Sequence, residues 1–381
     1  MATSHIQARP SMVFCDLDGT LLARDKSLGE RTRRVLGRLD RAGIEFVVST
    51  GRSIEGIPDE LMSAVRLRYA ITADGASIYG PGDASGSFVR LRLHDMPADE
   101  TLGLIRLVEA TDSYIDLFSE GVAFVSRGQL DKLAGLGVMP ADVAYMRSVR
   151  HEVDGSLGRI VEEGKAVERL TIFPKDDATR DCVSRFVDDC GSLAVFCSQP
   201  ANMEVVSSQV SKGNALRWLC GRLGVPTEEV IAFGDSANDG PMLQAAGVGV
   251  AMPDAPAQVR TLADTVCPLD CDHEGVAALL EDILAPRQVP ALLMHEKDDV
   301  VTCLGAMLAG DVAAVRGLDG HHVCDLAVRE RVGQYHKLAR RDVGAGDLLR
   351  KYGEVIGVAS APIAQGRWVH AHNVESVRTR A

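Results

Sequence analysis

The chain has 381 residues and a formal net charge of −12 at pH 7, with 46% hydrophobic and 25% charged residues. This composition is typical of a globular protein with apolar cores, and the length predicts two or three domains. No apolar run reaches the roughly 18 residues that a membrane-spanning helix needs. We therefore expect no membrane-spanning segment and no membrane partner. The acidic balance and the lack of a basic block argue against a nucleic-acid partner.

The cysteine pattern and the first residues of the sequence indicate the cellular compartment in which the protein is expected. Nine cysteines are scattered along the sequence, and residues 1–12 contain no apolar signal segment. Scattered cysteines, odd in number and mostly in apolar surroundings, are typical of reduced thiols. The sequence therefore predicts a cytoplasmic protein without a disulfide framework.

The first third alternates strand and helix patterns. Apolar runs predict strands at residues 12–16, 44–49 and 69–72. Ser27 and Glu30 fit a capping box ahead of a helix between the first two strands. The strand–helix–strand order predicts a doubly wound parallel sheet with right-handed crossovers.

The middle of the chain interrupts this pattern and then returns to it. Residues 87–191 mix alternating strand patterns with helices, which predicts an inserted α+β unit. The doubly wound pattern then resumes with a helix capped by Ser211. We therefore predict an α/β core from residues 1–86 and 192–286 around the insertion. The predicted elements are strands 87–93, 114–126, 169–173, 230–233 and 247–252, and helices 99–110, 177–190 and 275–284.

The last part of the chain has a sequence pattern that differs from those of the core and the insertion. A break is expected after Pro286 and Pro290, and residues 291–381 contain short strand-like pieces separated by turn glycines. This pattern predicts a small, mostly-β C-terminal domain.

Two carboxylates follow the first predicted strand. The segment DLDGT at 16–20 places Asp16 and Asp18 where the chain leaves the sheet, and ligands of open α/β sheets bind at this end. Neighbouring carboxylates repel each other unless a cation or proton separates them, and Mg²⁺ suits an all-oxygen site. The pattern indicates a magnesium site; the alternative is a surface turn with two solvated acids.

Three further polar segments occur in a fixed order. STGR at 49–52 offers a hydroxyl and backbone N–H groups to a phosphate, with a simple helix cap as the alternative. SKG at 211–213 puts Lys212 at a helix start, where it can hold a phosphate or remain solvated. GDSAND at 234–239 fits metal ligation or an Asx-rich loop. Each segment alone is weak evidence for a phosphate or metal site. The stronger evidence is that the segments occur together in this order.

This ordered set resembles the haloacid dehalogenase superfamily of phosphatases, specifically its Cof-like branch, over residues 12–284. The resemblance implies a Mg²⁺-dependent phosphatase in which Asp16 is the nucleophile and forms an aspartyl-phosphate. Asp18 is then the general acid for the leaving group and the general base for the attacking water. The implied magnesium ligands are Asp16, the backbone carbonyl of Asp18, and Asp235.

The resemblance also implies roles for other residues of the four segments. Lys212 joins the two acids in the catalytic set and also binds phosphate. Two residues have supporting roles, Thr20 through its hydroxyl and Asp239 by orienting Lys212 or a metal-bound water. The implied substrate- and phosphate-binding residues are Thr50, Gly51, Lys212, Asn202 and Asn238.

The insertion at 87–191 lies where this superfamily carries a C2-type cap, which closes over the site and selects the leaving group. Asp74 stands where relatives usually carry asparagine, which adds negative charge beside the pocket. Arg147, Arg150 and His151 could meet an acidic substrate, but the sequence favours solvated surface positions for them.

The tail resembles the SAF domain of altronate and galactarate dehydratases and the small subunit of sulfolactate sulfo-lyase. The strings that carry this resemblance are KYGEVIG at 351–357 and WVHAHN at 368–373. Strand periodicity puts His370 and His372 on one face, where they form a candidate site for a metal or sugar carboxylate. The alternative is a role in hydrogen bonding or an interface.

These features predict a Mg²⁺-dependent phosphatase that acts on a small phosphorylated sugar or sugar acid. The sugar-acid part depends only on the resemblance of the tail. A phosphomutase of the same superfamily is the first alternative. The others are an accessory subunit of a sugar-acid dehydratase or lyase, and a dehydratase proper, although the large dehydratase catalytic domain is missing. The tail is also a candidate surface for homo-oligomers or a dehydratase-like partner.

Overall fold

The computed structural model describes residues 9–82, 87–198 and 201–376. Chain contacts divide these residues into two units. The first unit contains Pro10–Asp40 and Ile44–Leu280, and the second contains Arg9, Arg41–Gly43 and residues 281–376. Within the described ranges, every helix is too short or too polar to cross a membrane.

The first unit contains fourteen strands and the chain contains ten helices in the described ranges. The strands are β1 (Met12–Cys15), β2 (Glu45–Ser49), β3 (Tyr69–Thr72), β4 (Ser77–Pro81), β5 (Phe88–Leu93), β6 (Tyr114–Ser119), β7 (Val122–Ser126), β8 (Arg150–Val153), β9 (Val167–Phe173), β10 (Leu193–Phe196), β11 (Met203–Ser207), β12 (Val230–Gly234), β13 (Val248–Ala251) and β14 (Thr265–Val266). The helices are α1 (Glu30–Arg41), α2 (Asp59–Ala64), α3 (Ala98–Glu109), α4 (Pro140–Val149), α5 (Gly158–Glu162), α6 (Asp177–Cys190), α7 (Lys212–Leu223), α8 (Gly240–Ala245), α9 (Ala257–Leu262) and α10 (Gly275–Leu284).

An eight-stranded sheet forms the core of the first unit, in the order β14-β13-β12-β1-β2-β3-β4-β5. The strands from β14 to β3 are parallel, and β4 and β5 extend the sheet in antiparallel pairing. The predicted doubly wound α/β class is confirmed. Strand β1 lies in the middle, between β12 and β2, so the segments that follow these three strands meet at one edge of the sheet.

Burial explains why these elements form where the sequence predicts them. All four residues of β1 are buried, as expected for a strand covered on both faces. Helix α1 buries Val35, Leu36 and Leu39, the helically spaced positions of its apolar face. Its first turn differs from the predicted Ser27 capping box, because the N–H of Thr32 donates instead to the distant carboxylate of Glu274.

A six-stranded sheet, in the order β10-β11-β9-β6-β7-β8, forms the inserted layer. The sheet to which each strand belongs gives borders of the insertion that differ from the expected residues 87–191. Strand β5 pairs with β4 of the eight-stranded sheet, whereas β10 and β11 continue the sheet of the insertion. We therefore propose that the insertion extends from about residue 94 to residue 207.

The second unit is built from strands, which confirms the mostly-β character of the tail. Its sheets have the orders β18-β17-β15-β16-β19-β22 and β20-β21-β23. Pro290 lies inside β15, so the expected break and the border at residue 291 cut a strand; the Pro290 carbonyl still accepts the Leu304 N–H. The strands are β15 (Gln288–Leu292), β16 (Val300–Cys303), β17 (Val312–Arg316), β18 (His322–Ala327), β19 (Lys337–Ala339), β20 (Leu348–Lys351), β21 (Glu354–Ala359), β22 (Trp368–Val369) and β23 (Val374–Glu375).

Helix α7, which begins with Lys212, packs very closely against the first turn of α8. A Cβ on Gly213 would lie 2.3 Å from the carbonyl oxygen of Pro241. Gly221 in the same helix has no such neighbour within 4 Å. Only a glycine at position 213 allows this approach of the two segments.

Replacing these two glycines by alanine should therefore have opposite effects. Gly213→Ala should destabilise the protein by roughly 2 kcal/mol, because the new methyl group overpacks against backbone. Gly221→Ala should stabilise it by up to about 1 kcal/mol through helix propensity. Thermal unfolding followed by circular dichroism checks both variants, and equal melting temperatures would contradict the close packing at Gly213.

Candidate active site

Lys212 is the central cation of the candidate active site. Its ammonium group donates to Asp16 Oδ1 and to Asp239 Oδ1, each at 2.7 Å. The Ser211 hydroxyl caps helix α7 by accepting the Asn214 N–H, which places Lys212 in the first turn. Burial alone lowers the pKa of Lys212, but Asp16 and Asp239 outweigh it and hold this pKa well above its ordinary value. Lys212 is therefore charged and joins two of the four motifs.

Three carboxylates converge beside this lysine. Oxygens of Asp16, Asp235 and Asp239 lie within 4.8 Å of one another. Burial raises the pKa of Asp16 well above its ordinary value; Lys212 opposes the shift, and Asp239 and Asp235 add to it. Burial and the charge of Asp239 raise the pKa of Asp235 to about 6. The crowding of negative charge is what a bound cation would relieve.

Asp235 and Asp239 have different surroundings. Asp235 accepts hydrogen bonds from the hydroxyls of Thr20 at 2.7 Å and Ser236 at 2.9 Å. Asp239 uses Oδ1 for Lys212, while its Oδ2 accepts the backbone N–H groups of Asp235 and Ser236. Asp239 therefore fixes the turn that presents Asp235.

Asp18 is held by two cations. Arg52 donates to both of its carboxylate oxygens at 2.7 Å, and the Lys26 ammonium lies 3.0 Å from Oδ1. Burial would raise the pKa of Asp18, but the hydrogen bonds and charges of Arg52 and Lys26 outweigh it and lower this pKa below its ordinary range. Lys26 also pairs with Asp142 of α4 at 2.7 Å.

The other predicted phosphate ligands surround the same acids. Thr50 and Gly51 follow β2 and line the cavity together with Asp16 and Asn238. A Cβ on Gly51 would lie 2.7 Å from Arg169 Nη1, so a larger residue would displace that arginine.

Asp74 and Arg169 connect the two sheets of the first unit. Arg169 of β9 donates to Asp74 Oδ2 at 2.9 Å, and Asn238 donates to Asp74 Oδ1 at 2.8 Å. Arg169 also lies 3.2 Å from Glu204 Oε1. Burial raises the pKa of Glu204 to about 7, although Arg169 opposes the shift. Asn202 lies at the edge of this network, where its amide donates to Ser198.

A cavity of about 350 Å³ opens above Asp16, Asp18 and Asp235, between them and residues of the insertion. Arg150 lines this cavity and its side chain is only 4% exposed, so the expectation of a solvated surface position was wrong for it. Arg147 and His151 are indeed exposed, paired with Asp131 and Glu55. Side chains that line the insertion side include Met139, Tyr145, Met146, Arg150, Arg169, Thr171, Phe173 and Asn202.

The structure thus brings together every predicted site residue of the first unit. Asp16, Asp18, Thr50, Gly51, Asn202, Asp235 and Asn238 line the cavity, while Thr20, Lys212 and Asp239 contact these residues from behind. Sequence reasoning missed Lys26, Arg52, Tyr145 and Arg169. Arg52 stands in the STGR segment, which was the one available signal, whereas the others come from segments without a recognisable spacing.

His370 and His372 lie in the second unit, beside Trp368. The ring of His370 stacks on Trp368 at a centroid distance of 4.7 Å, and His372 lies 5.1 Å from it. His336 completes this aromatic cluster and accepts the Trp368 indole N–H at 3.2 Å. Among the described residues, the three imidazoles do not form a group with metal-binding spacing.

Comparison with known proteins agrees with this geometry. Residues 13–280 match the family model described as haloacid dehalogenase-like hydrolase. The chain belongs to the haloacid dehalogenase-like hydrolases. Residues 289–377 match the altronate/galactarate dehydratase SAF domain. The predicted resemblances to the haloacid dehalogenase superfamily and to the SAF domain are confirmed, and the two models cover the two units separately.

Similar proteins of this hydrolase family include named phosphatases. The phosphatase YwpJ of Bacillus subtilis is 28% identical over 291 residues, which cover 72% of this chain and 99% of that protein. The HMP-PP phosphatase of Yersinia pestis (strain Pestoides F) is 27% identical, over 71% of this chain and 94% of that protein. A haloacid dehalogenase-like hydrolase structure from B. subtilis has a TM-score of 0.61 at 27% identity, covering 71% and 99% of the two chains. The predicted enzyme class, a phosphatase of this superfamily, is confirmed.

Proposed function

We propose that this enzyme hydrolyses a small phosphorylated sugar or sugar acid through an aspartyl-phosphate on Asp16, with the help of Mg²⁺. The observation that carries the proposal is the position of Asp16. Its carboxylate lies at the end of the central strand, held by Lys212 and lining the cavity. A carboxylate in this position can attack a phosphoryl group that enters the cavity.

Asp16 and Asp18 would divide the reaction into two displacements. In the first, a carboxylate oxygen of Asp16 attacks phosphorus, the bond from phosphorus to the alkyl oxygen breaks, and Asp18 gives its proton to the leaving oxygen. In the second, Asp18 takes a proton from water, whose oxygen attacks phosphorus, and inorganic phosphate leaves Asp16. The same residue acts as acid and then as base.

The ion pairs of Asp18 fix its protonation state before a substrate enters. Arg52 and Lys26 keep Asp18 ionised in this state, and because they lower its pKa they also make it a weak base. For the first displacement, Asp18 must turn from Arg52 toward the leaving oxygen. Burial then raises its pKa without the opposing cations, which favours the protonated form.

We propose four groups as donors to the phosphoryl oxygens. Lys212 offers a buried positive charge, and Thr50 and the Gly51 backbone follow the neighbouring strand. Asn238, held by Asp74, lines the same side of the cavity. Donors fixed in this way stabilise charge that develops in transfer of the phosphoryl group.

The donor set fits a small divalent cation. Hard carboxylate oxygens suit Mg²⁺, and three of them lie within 4.8 Å here. Asp239 is held by the charge of Lys212 and by two backbone N–H groups, whereas the partners of Asp235 are two hydroxyls that can rotate away. The proposed ligands are therefore Asp16, Asp235 and the backbone carbonyl of Asp18. When bound, the cation would offset the like charges of the nucleophile and the phosphoryl group.

The substitution Asp16→Asn should lower phosphatase activity by at least about a thousandfold, because it removes the nucleophile. Release of inorganic phosphate from p-nitrophenyl phosphate measures the effect. Asp189→Asn, which removes an exposed acid of α6, is the control and should retain activity. An Asp16→Asn enzyme with wild-type turnover would refute the role of Asp16. In a parallel assay of the wild type with sugar phosphates, conversion to a positional isomer without release of free phosphate would indicate a phosphomutase.

Chelation should abolish activity, and Mg²⁺ should restore it. The variant Asp235→Asn loses a proposed ligand, so we expect its half-saturating Mg²⁺ concentration to rise at least about tenfold. Phosphate release is measured against Mg²⁺ concentration after dialysis with EDTA. Full activity in excess EDTA would exclude the metal, and an unchanged Mg²⁺ requirement in Asp235→Asn would exclude this ligand.

We also propose that the His336–Trp368–His370–His372 cluster binds a sugar acid. Stacked aromatic and imidazole rings present an apolar face together with hydrogen-bonding nitrogens, a combination that suits a polyol carboxylate. The match of this unit to the altronate/galactarate dehydratase SAF domain supports the choice of ligand. The dehydratase activity itself is not part of this proposal.

Trp368 is one of two tryptophans in the chain and can report on this cluster. In a Trp218→Phe background, galactarate should change the fluorescence of Trp368 in a saturable way. Replacing His370 and His372 by alanine should weaken the apparent affinity at least about fivefold. His322→Ala, an exposed histidine of the same unit, serves as the control. A galactarate titration without a signal, or one unchanged by the double substitution, would contradict the proposal.

A further inference from the structure

Arg150 is a buried cation that the catalytic mechanism does not use. It begins strand β8 of the insertion, and its side chain is 4% exposed where it lines the cavity. Its Nε donates to Asp116 Oδ2 at 3.0 Å. Its Nη1 is shielded from water and has no hydrogen-bond partner among the described residues. A buried N–H group without an acceptor is uncommon and costly, so a missing acceptor is implied.

The surroundings of Arg150 fix its guanidinium group. Asp116 is fully buried and also accepts the Tyr114 hydroxyl at 2.9 Å. The rings of Phe118 and Tyr145 lie 5.1 and 5.7 Å from the guanidinium carbon. This anchoring holds the side chain in one place before any ligand enters, which lowers the entropic cost of binding.

Arg150 has fewer polar partners than Arg169, the other cationic residue that the insertion contributes to the cavity, although the Nε of Arg169 is also buried without a partner among the described residues. Arg169 already contacts Asp74, Glu204 and Thr171. Arg150 has one carboxylate partner and hydrogen-bonding capacity left over. A guanidinium fork is the group best suited to a planar carboxylate or to a phosphate.

We infer that Arg150 binds a second anionic group, a carboxylate or a further phosphate, on the leaving group of the substrate. This inference rests on the proposed phosphatase function and narrows its substrate class. Thr171, Ser198 and Asn202 line the same cavity and offer hydroxyl and amide groups to a polyol chain. The substrate is then a phosphorylated polyol that ends in an anion, such as a phosphorylated sugar acid.

Matched substrates that differ only at the far end test this inference. Aldonate phosphates of three, four and six carbons are compared with the alditol phosphates of the same length, in which CH₂OH replaces the carboxylate. The corresponding alditol bisphosphates form the second arm and distinguish a phosphate from a carboxylate. The measured quantity is the ratio of kcat/KM for the anionic and neutral members of each pair, which cancels effects common to both.

The wild-type enzyme should prefer the anionic member of at least one pair by about tenfold or more, as expected for a charge-assisted hydrogen bond. Arg150→Gln should bring this ratio to about one. Arg150→Lys keeps a charge opposite Asp116 but loses the fork, so it should give an intermediate ratio and also serves if the glutamine variant does not fold. Arg147→Gln, an exposed arginine of the adjacent helix, should keep the wild-type ratio.

Wild-type ratios near one in every pair would overturn the inference, as would a wild-type ratio in both Arg150 variants. If the wild type hydrolyses the alditol phosphates and p-nitrophenyl phosphate but shows no preference, only the role of Arg150 fails. If it releases no phosphate from any ester in the presence of Mg²⁺, the proposed function fails as well. Preference in the carboxylate arm alone would identify a sugar-acid phosphate, and preference in the bisphosphate arm alone would identify a bisphosphate.

Discussion

The active end of the eight-stranded sheet depends on the buried ammonium group of Lys212. Without it, the carboxylates of Asp16 and Asp239 would lie buried together with no compensating charge, and breaking such a buried pair typically costs about 3–5 kcal/mol. Asp239 in turn holds the backbone N–H groups of the turn that presents Asp235. The position of each acid therefore follows from one charge at the start of helix α7.

The same balance of charges explains an unusual residue at the border of the insertion. Asp74 stands where the family resemblance predicts asparagine, and an uncompensated carboxylate there would repel a phosphate. Arg169 supplies the compensating charge, and Arg169 with Lys212 lowers the pKa of Asp74 although burial raises it. The amide that asparagine would provide comes instead from Asn238, which donates to Asp74. Charge and hydrogen bonding are thus both restored, by residues far away in sequence.

Local signals explain what could be predicted from the sequence. Strand Tyr69–Thr72 and helices Asp177–Cys190 and Gly275–Leu284 were predicted at their observed bounds, because apolar periodicity and caps are encoded within each segment. Three of the four motifs were found because they follow strands of one sheet, and SKG was found because it begins a helix. Contacts between distant segments carry no such signal. The cap of α1 by Glu274 and the burial of Arg150 against Asp116 both depend on tertiary packing.

The proposed catalytic acids and Arg150, the residue proposed to bind the leaving group, belong to different ion pairs. Asp16 and Asp239 are paired with Lys212 within the core, and Asp18 is paired with Arg52 of the neighbouring strand end. Arg150 is paired within the insertion, with Asp116. Because Arg150 shares no reported ion pair with Asp16, Asp18 or Asp239, a substitution at Arg150 should leave the ion pairs of these acids intact. Under the proposed function, the insertion could then accept a different leaving group without a change in the residues proposed to transfer the phosphoryl group.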